Sequence, residues 1–194
     1  MGKLFCVMGK SASGKDSIYK ELLQQKDFPL ANVVPYTTRP IRAGEIDGKS
    51  YHFCTREQAM AMQEEGKVIE LRTYQTVHGP WDYFTADDGQ IDLEKKNSLL
   101  IVTLEGYLHI RNYFGAKNVV PIYIEVEDGE RLSRALAREK LEKEPKYAEM
   151  CRRFLADSED FAESKIKEAQ ITKRFINQDK EKTIKEILDY MRQC

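Results

Sequence analysis

The sequence predicts an α/β protein built on a parallel sheet with helices on both faces. Three segments predict it. Residues 3–23 read strand, glycine loop, helix. Residues 99–126 read strand, helix, strand, the βαβ unit that sets neighbouring strands parallel. Residues 173–191 add a last strand and a last helix.

The first element, Lys3-Leu4-Phe5-Cys6-Val7-Met8, is apolar enough for a buried strand, and Ser17 to Leu23 has apolar residues at helical spacing. Between them, Gly9-Lys10-Ser11-Ala12-Ser13-Gly14-Lys15 has the G-x-x-x-x-G-K spacing of a P-loop. Its glycines let backbone N–H groups wrap phosphates, the following helix offers its positive end, and Lys15 bridges the outer phosphates. The expected ligand is a nucleoside triphosphate. Where the motif calls for a Ser or Thr hydroxyl to hold Mg²⁺, the chain has Asp16. Asp16 is therefore the candidate metal ligand, or else a carboxylate stabilising the first helical turn, with Ser17 supplying the hydroxyl.

Residues 35–90 are mixed in charge and weakly periodic, apart from a helix that starts at the capping box Thr55-Arg56-Glu57-Gln58 and ends at Gly66. This stretch reads as a small substrate-binding insertion. Leu99 to Thr103 and Val119 to Val126 are the strands of the βαβ unit, with a helix from Glu105 to Phe114 stopped by Gly115. Residues 129–165 carry Arg131, Arg134 and Arg138 at i, i+3 and i+7 of one helix, and Arg152-Arg153 after a break at Pro145. A solvated face held by Glu–Lys and Glu–Arg pairs fits that pattern, as does an arginine-bearing helical hairpin closing over phosphates. The P-loop favours the lid. Lys173 to Ile176 is the last strand, and Asp179 caps a helix with Ile184, Ile187, Leu188 and Met191 on one face.

With 194 residues the chain is long enough for one well-cored domain with a smaller insertion or at most two small domains, and one core with insertions is expected. Lys+Arg 31 against Asp+Glu 32 leaves a net charge of −1, which excludes the global basic field of a general nucleic-acid binder. Cys6, Cys54, Cys151 and Cys194 show no C-x-x-C spacing, which argues against zinc and a disulfide framework and fits a reducing cytoplasm. No apolar run approaches the roughly 20 residues of a membrane span, and Met1-Gly2-Lys3 leads into the first strand without a signal segment. A soluble, unprocessed cytoplasmic protein without membrane or nucleic-acid partners is expected. Nothing in the sequence sets an oligomeric state.

The segment Tyr36-Thr37-Thr38-Arg39-Pro40-Ile41-Arg42-Ala43-Gly44-Glu45-Ile46-Asp47-Gly48-Lys49-Ser50-Tyr51-His52-Phe53 resembles the guanylate kinase signature T-T-R-x-x-R-x-G-E-x-x-G-x-x-Y-x-F. The resemblance implies a P-loop NTPase-like parallel sheet, a small inserted nucleotide-monophosphate-binding domain and a helical lid. It implies one domain with a core of 1–34, 91–128 and 166–194, an acceptor-binding insertion of 35–90 and a lid of 129–165. In that reading Thr38, Arg39, Arg42, Glu45 and Tyr51 belong to the GMP site, with both arginines and Tyr51 on its phosphate. Lys67-Val68-Ile69-Glu70 resembles the family element whose carboxylate accepts hydrogen bonds from the guanine N1–H and amine, so Glu70 is the purine selector. Tyr83 would reach the phosphate and Thr85 the guanine edge. ATP would lie on residues 9–17 with Arg134, Arg138 and Asn177. Lys15, Arg39, Arg138 and Arg153 would form the catalytic set.

Besides Asp16, the chain departs from that pattern at four places. Pro35 stands where the family has a guanine-reading serine, Thr103 where it has a strand-end Asp, and Phe84 where it has Gly. Extra residues including His78-Gly79-Pro80-Trp81 alter the pocket rim, with His78 and Trp81 placed to stack on a base or simply to form a surface loop. The resemblance implies transfer of the ATP γ-phosphoryl to GMP with Mg²⁺, by positioning and charge neutralisation. Gly14-Lys15-Asp16-Ser17 also resembles the ribose 1,5-bisphosphate kinases, and the departures at Asp16 and Thr103 resemble those of non-catalytic guanylate-kinase-like modules.

Overall fold

A computed structural model describes residues 1–42, 44–76 and 79–194. Its main sheet is wholly parallel. It takes β1 (Leu4–Met8), β2 (Ala31–Asn32), β7 (Ser98–Ile101), β8 (Val119–Glu125) and β9 (Arg174–Ile176) in the order β2-β7-β1-β8-β9. A second sheet orders β3 (Tyr36–Thr37), β4 (His52–Phe53), β5 (Val68–Thr76) and β6 (Gly79–Ala86) as β4-β3-β6-β5. Seven helices are formed by the described residues: α1 (Lys15–Leu23), α2 (Arg56–Glu64), α3 (Leu104–Phe114), α4 (Asp128–Glu139), α5 (Tyr147–Asp160), α6 (Glu163–Glu168) and α7 (Lys180–Met191).

All five residues of β1 are fully buried because both faces of the main sheet are covered. Strand alternation sends Leu4, Cys6 and Met8 to one side, against Tyr107 and Ile110 of α3 and Ile166 of α6. Phe5 and Val7 go to the other, against Ile18 and Leu22 of α1 and Ile187, Leu188 and Met191 of α7. Each such side chain contributes about 1.5–3 kcal/mol by leaving water. The layered fold is the one expected. No helix among the described residues is long and apolar enough to cross a membrane.

Residues 35–90 differ from their weakly periodic appearance, for they form the second sheet. Val68, Phe84 and Ala86 pack with Ala59 and Met62 of α2 on one face. A bulge between Val68 and Glu70 adds one residue, Ile69, which joins the main core instead. From there the ladder pairs Glu70 with Thr85, Arg72 with Tyr83 and Tyr74 with Trp81 on the opposite face. Alternation hides this strand in the sequence because that face is polar although Glu70 and Thr85 are buried.

Two expectations are corrected. The strand from Leu99 stops at Ile101, and Thr103 instead caps α3 by accepting the Gly106 N–H at 3.2 Å. Arg131 shares a helix with Arg134 and Arg138 but is buried, so it is no phosphate reader on an open face. Pro145 lies in the turn between α4 and α5, as its helix-breaking character requires.

Candidate functional site

The glycine loop leaves the C-terminal end of β1 and runs into α1. Gly14 precedes the helix with φ 84°, a left-handed conformation that costs an L side chain about 1–2 kcal/mol. Lys15 and Asp16 follow in the first turn, with Lys15 Nζ 3.5 Å from Asp16 Oδ2 and the Asp16 carboxylate largely exposed. Asn177, carried past the end of β9, donates its side-chain amide to the Ser13 carbonyl at 2.8 Å. Its own carbonyl accepts Arg134 Nη2 at 3.2 Å, and Arg134 Nε reaches Glu130 at 2.9 Å. Among the described residues the buried Ser13 hydroxyl has no hydrogen-bond partner.

Helices α4 and α5 grip the loop from the other side. The Ser11 N–H donates to Asp157 Oδ2 at 2.8 Å, and Arg131 Nη1 reaches both that carboxylate at 3.1 Å and the Ser11 carbonyl at 3.2 Å. Arg131 Nε donates to Asp128, the guanidinium lies 4.0 Å from the Phe154 ring centroid, and Lys10 pairs with Asp128 at 3.3 Å. Arg138 and Arg153 line one narrow cleft with Ser11 and Arg131, so the structure brings both close to the loop. Arg153 is half-exposed and lies 3.7 Å from Glu149.

Glu45, Tyr51 and Phe53 gather around Arg39. Its buried guanidinium forks onto Glu45, with Nη1 at 2.7 Å and Nη2 at 2.5 Å, and lies 5.1 Å from the Tyr51 ring centroid and 5.4 Å from that of Phe53. Hydrogen bonds from Arg39, then from the Arg42 amide, hold the Glu45 carboxyl at about 2. The same pairing pushes the Arg39 pKa above its ordinary value. Arg42 is exposed. Tyr51 meets Tyr83 edge-on at 5.7 Å, and burial pushes the Tyr51 hydroxyl pKa up. Thr38 clips β3 to β6: its hydroxyl accepts the Asp82 N–H at 2.8 Å, and its own N–H donates to the Asp82 carbonyl at 3.0 Å.

Glu70 is 4% exposed. Its Oε1 accepts the Thr85 hydroxyl at 2.8 Å and Arg72 Nη2 at 3.4 Å, while Oε2 accepts Arg72 Nε at 3.0 Å. The first turn of α3 closes in behind, so near that a Cβ on Gly106 would stand 3.2 Å from Glu70 Oε2. Phe84 points away into the α2 core and stacks on Tyr36 at 5.0 Å. The Pro35 carbonyl accepts the His52 N–H at 2.9 Å and so helps join β3 to β4. Trp81 is half-buried opposite Tyr74, and His78 lies outside the described residues.

The sequence alone did not point to Arg72 or Asp157, and it gave Arg131 an exposed place beside Arg134 and Arg138 in place of its buried one. A signal existed for Arg72, since residue i+2 on a strand shares the face of Glu70. None existed for Asp157, which meets Ser11 across 146 residues.

A glycine loop after the first strand of a parallel sheet, arginines on a following helical hairpin, and an inserted sheet that sets buried Glu70 beside half-buried Arg72 and Tyr83 make up the candidate site. The family model described as guanylate kinase matches residues 1–193, and the chain belongs to the guanylate kinase family. It is 35% identical over 124 residues to a guanylate kinase of Thermotoga maritima, covering 63% of this chain and 57% of that one. It is 30% identical over 164 residues to one of Paraburkholderia xenovorans, covering 83% and 68%. The match spans about half of several such relatives, 55% and 53% for those of Cupriavidus pinatubonensis and Caldanaerobacter subterraneus. In structure it is similar to the crystal structure of guanylate kinase from Anaplasma phagocytophilum, with a TM-score of 0.69, 20% identity and coverage of 99% of this chain and 85% of that one.

Proposed function

We propose that the chain transfers the γ-phosphoryl of ATP to GMP, giving ADP and GDP. The observation that carries this reading is the one polar face of the second sheet, on which Glu70, Thr85, Arg72 and Tyr83 lie together and Tyr83 meets Tyr51 of the Arg39 cluster. That face supplies carboxylate and hydroxyl for a base edge and arginine and tyrosine for a phosphate. Membership of the guanylate kinase family supports it.

In this mechanism residues 9–17 act as a P-loop, with Lys15 on the donor phosphates. Arg39, held as a planar fork by Glu45, aligns the acceptor phosphate together with Arg42, Tyr51 and Tyr83. Arg134, Arg138 and Arg153 approach on the lid, 129–165, as it closes over the core (1–34, 91–128 and 166–194) and the acceptor insertion (35–90). Closure excludes water and so suppresses hydrolysis. No step needs a covalent intermediate; the arginines and Lys15 meet the charge that spreads over the transferring group.

Among the described residues no group of three or more His, Cys, Asp or Glu could cage a metal. Mg²⁺ commonly takes one or two carboxylates with waters and substrate phosphates. Asp16, exposed in the first turn of α1, fits that demand. When bound with ATP, Mg²⁺ supplies neutralising charge on the phosphates. A cytoplasmic location suits four cysteines that are all free.

The test is release of ADP from ATP·Mg²⁺ with GMP, dGMP, AMP, UMP or ribose 1,5-bisphosphate as acceptor. Turnover with GMP and not with AMP or UMP is expected. Turnover of the sugar phosphate alone, or tight GMP binding with no turnover by any acceptor, overturns the proposal. Glu70→Ala should weaken GMP binding far more than ATP binding.

A further inference from the structure

We infer that Arg72 is a second guanine-reading residue, which caps Glu70 in this structure and turns its donors to the O6 and N7 edge of the base when GMP enters. This rests on the proposal that GMP is the acceptor. A carboxylate offers about four acceptor sites. Three on Glu70 are taken, by the Thr85 hydroxyl and by Arg72 Nε and Nη2. One site cannot accept both the N1–H and the exocyclic amine of guanine. Arg72 must release Glu70 before the base can be read.

Geometry says where the guanidinium goes. Arg72 lines a cavity of about 710 Å³ together with Tyr74, Thr103, Leu104 and Glu105, whereas Glu70 lies behind it and does not reach the lining. The Arg72 side chain is 20% exposed and that of Glu70 2%, so the arginine swings outward toward the cavity and the carboxylate stays. The two residues are i and i+2 on one strand, about 7 Å apart along it. Guanine presents its donors, the amine and N1–H, beside its acceptors, O6 and N7. With the donors on Glu70, the acceptors face along the strand toward Arg72, whose fork matches O6 and N7 as a bidentate pair. Adenine would set its own amine, a donor, against the same fork, so Arg72 rejects AMP as Glu70 does.

The test pairs a change in the protein with a change in the base. kcat/KM is measured for the wild-type chain, Arg72→Met and Arg72→Lys with GMP and with 7-deaza-GMP, which lacks the N7 acceptor. Wild type is expected to lose about tenfold on removal of N7. Arg72→Met should lose about tenfold or more with GMP and then be indifferent to N7, because the donor is already gone. Arg72→Lys keeps a counter-charge for buried Glu70 and guards against misfolding. Its single ammonium should leave a penalty for N7 of at most about threefold. An N7 penalty equal in wild type and both variants overturns the role of Arg72 and leaves GMP as acceptor. Absence of GMP turnover by wild type overturns the acceptor assignment itself.

Discussion

Asp157→Ala should be the most damaging single change at the junction of the glycine loop with α4 and α5. Arg131 is 1% exposed, and Asp157 is one of the two carboxylates that balance it. The same carboxylate accepts the Ser11 N–H. Removing one partner of a buried pair costs about 3–5 kcal/mol when nothing else holds the stranded charge. Here Asp128 and the Ser11 carbonyl remain, which puts the loss near the lower end, about 3 kcal/mol. At about 2–4 °C per kcal/mol for a chain of this size, the melting temperature falls by about 6–12 °C. Urea unfolding followed by circular dichroism and by the fluorescence of Trp81, the one tryptophan, gives the number and tests coincidence of the transitions. Asp157→Asn keeps an acceptor for Ser11 and should lose about half as much. Arg131→Met with Asp157→Leu should recover most of the loss, since a buried pair is replaced without a stranded charge. A loss below about 0.5 kcal/mol for Asp157→Ala, the range of an ordinary surface change, would refute the reasoning.

Three further outcomes follow from the same contacts. Glu45, depressed to about 2 from an ordinary 4.5, stabilises the fold fully above about pH 4.5 and loses that contribution as pH falls toward 2. The stability gap between wild type and Glu45→Gln should therefore close between pH 4.5 and 2, and a gap independent of pH in acid urea titrations would contradict the Arg39 pairing. Gly14→Ala should cost about 1–2 kcal/mol for its positive φ alone, with a further cost because its Cβ would stand 2.5 Å from Asn177 Nδ2; a melt unchanged from wild type would show that this end of the loop is not constrained. Burial pushes the Cys6 thiol far up, whereas Cys151 and Cys194 are exposed. A thiol reagent should label Cys151 and Cys194 in the native protein and Cys6 only on unfolding, and rapid native labelling of Cys6 would mean that the β1 core opens readily.

The parts legible in the sequence were those carried by contiguous residues. Gly9 to Ser17 declared a strand-to-helix glycine loop, and Thr55 with Gln58 declared a helix start that the structure keeps as a reciprocal capping box. The strand at Val119 and the helix after Asp179 were equally plain, since local periodicity and a cap define them. The second sheet was not, because its strands β3 and β4 are two residues each and β5 alternates between a partly apolar face and a polar one whose Glu70 is buried. Arg131 looked like its neighbours Arg134 and Arg138 on helical spacing. Only its position over Phe154 and between two aspartates separates it from them.

By itself, then, the sequence determined the layered α/β fold, the glycine loop and the acceptor signature, because each is written in spacings of a few residues whose meaning does not depend on distant partners. The tertiary structure alone decided what those groups touch. Asn177 is spent on Ser13, Asp157 on Ser11, and Glu70 on Thr85 and Arg72. Ser11 and Ser13 meet partners 146 and 164 residues away. Side chains brought together over such separations are set by how helices and sheets pack, and no local pattern of residues encodes that.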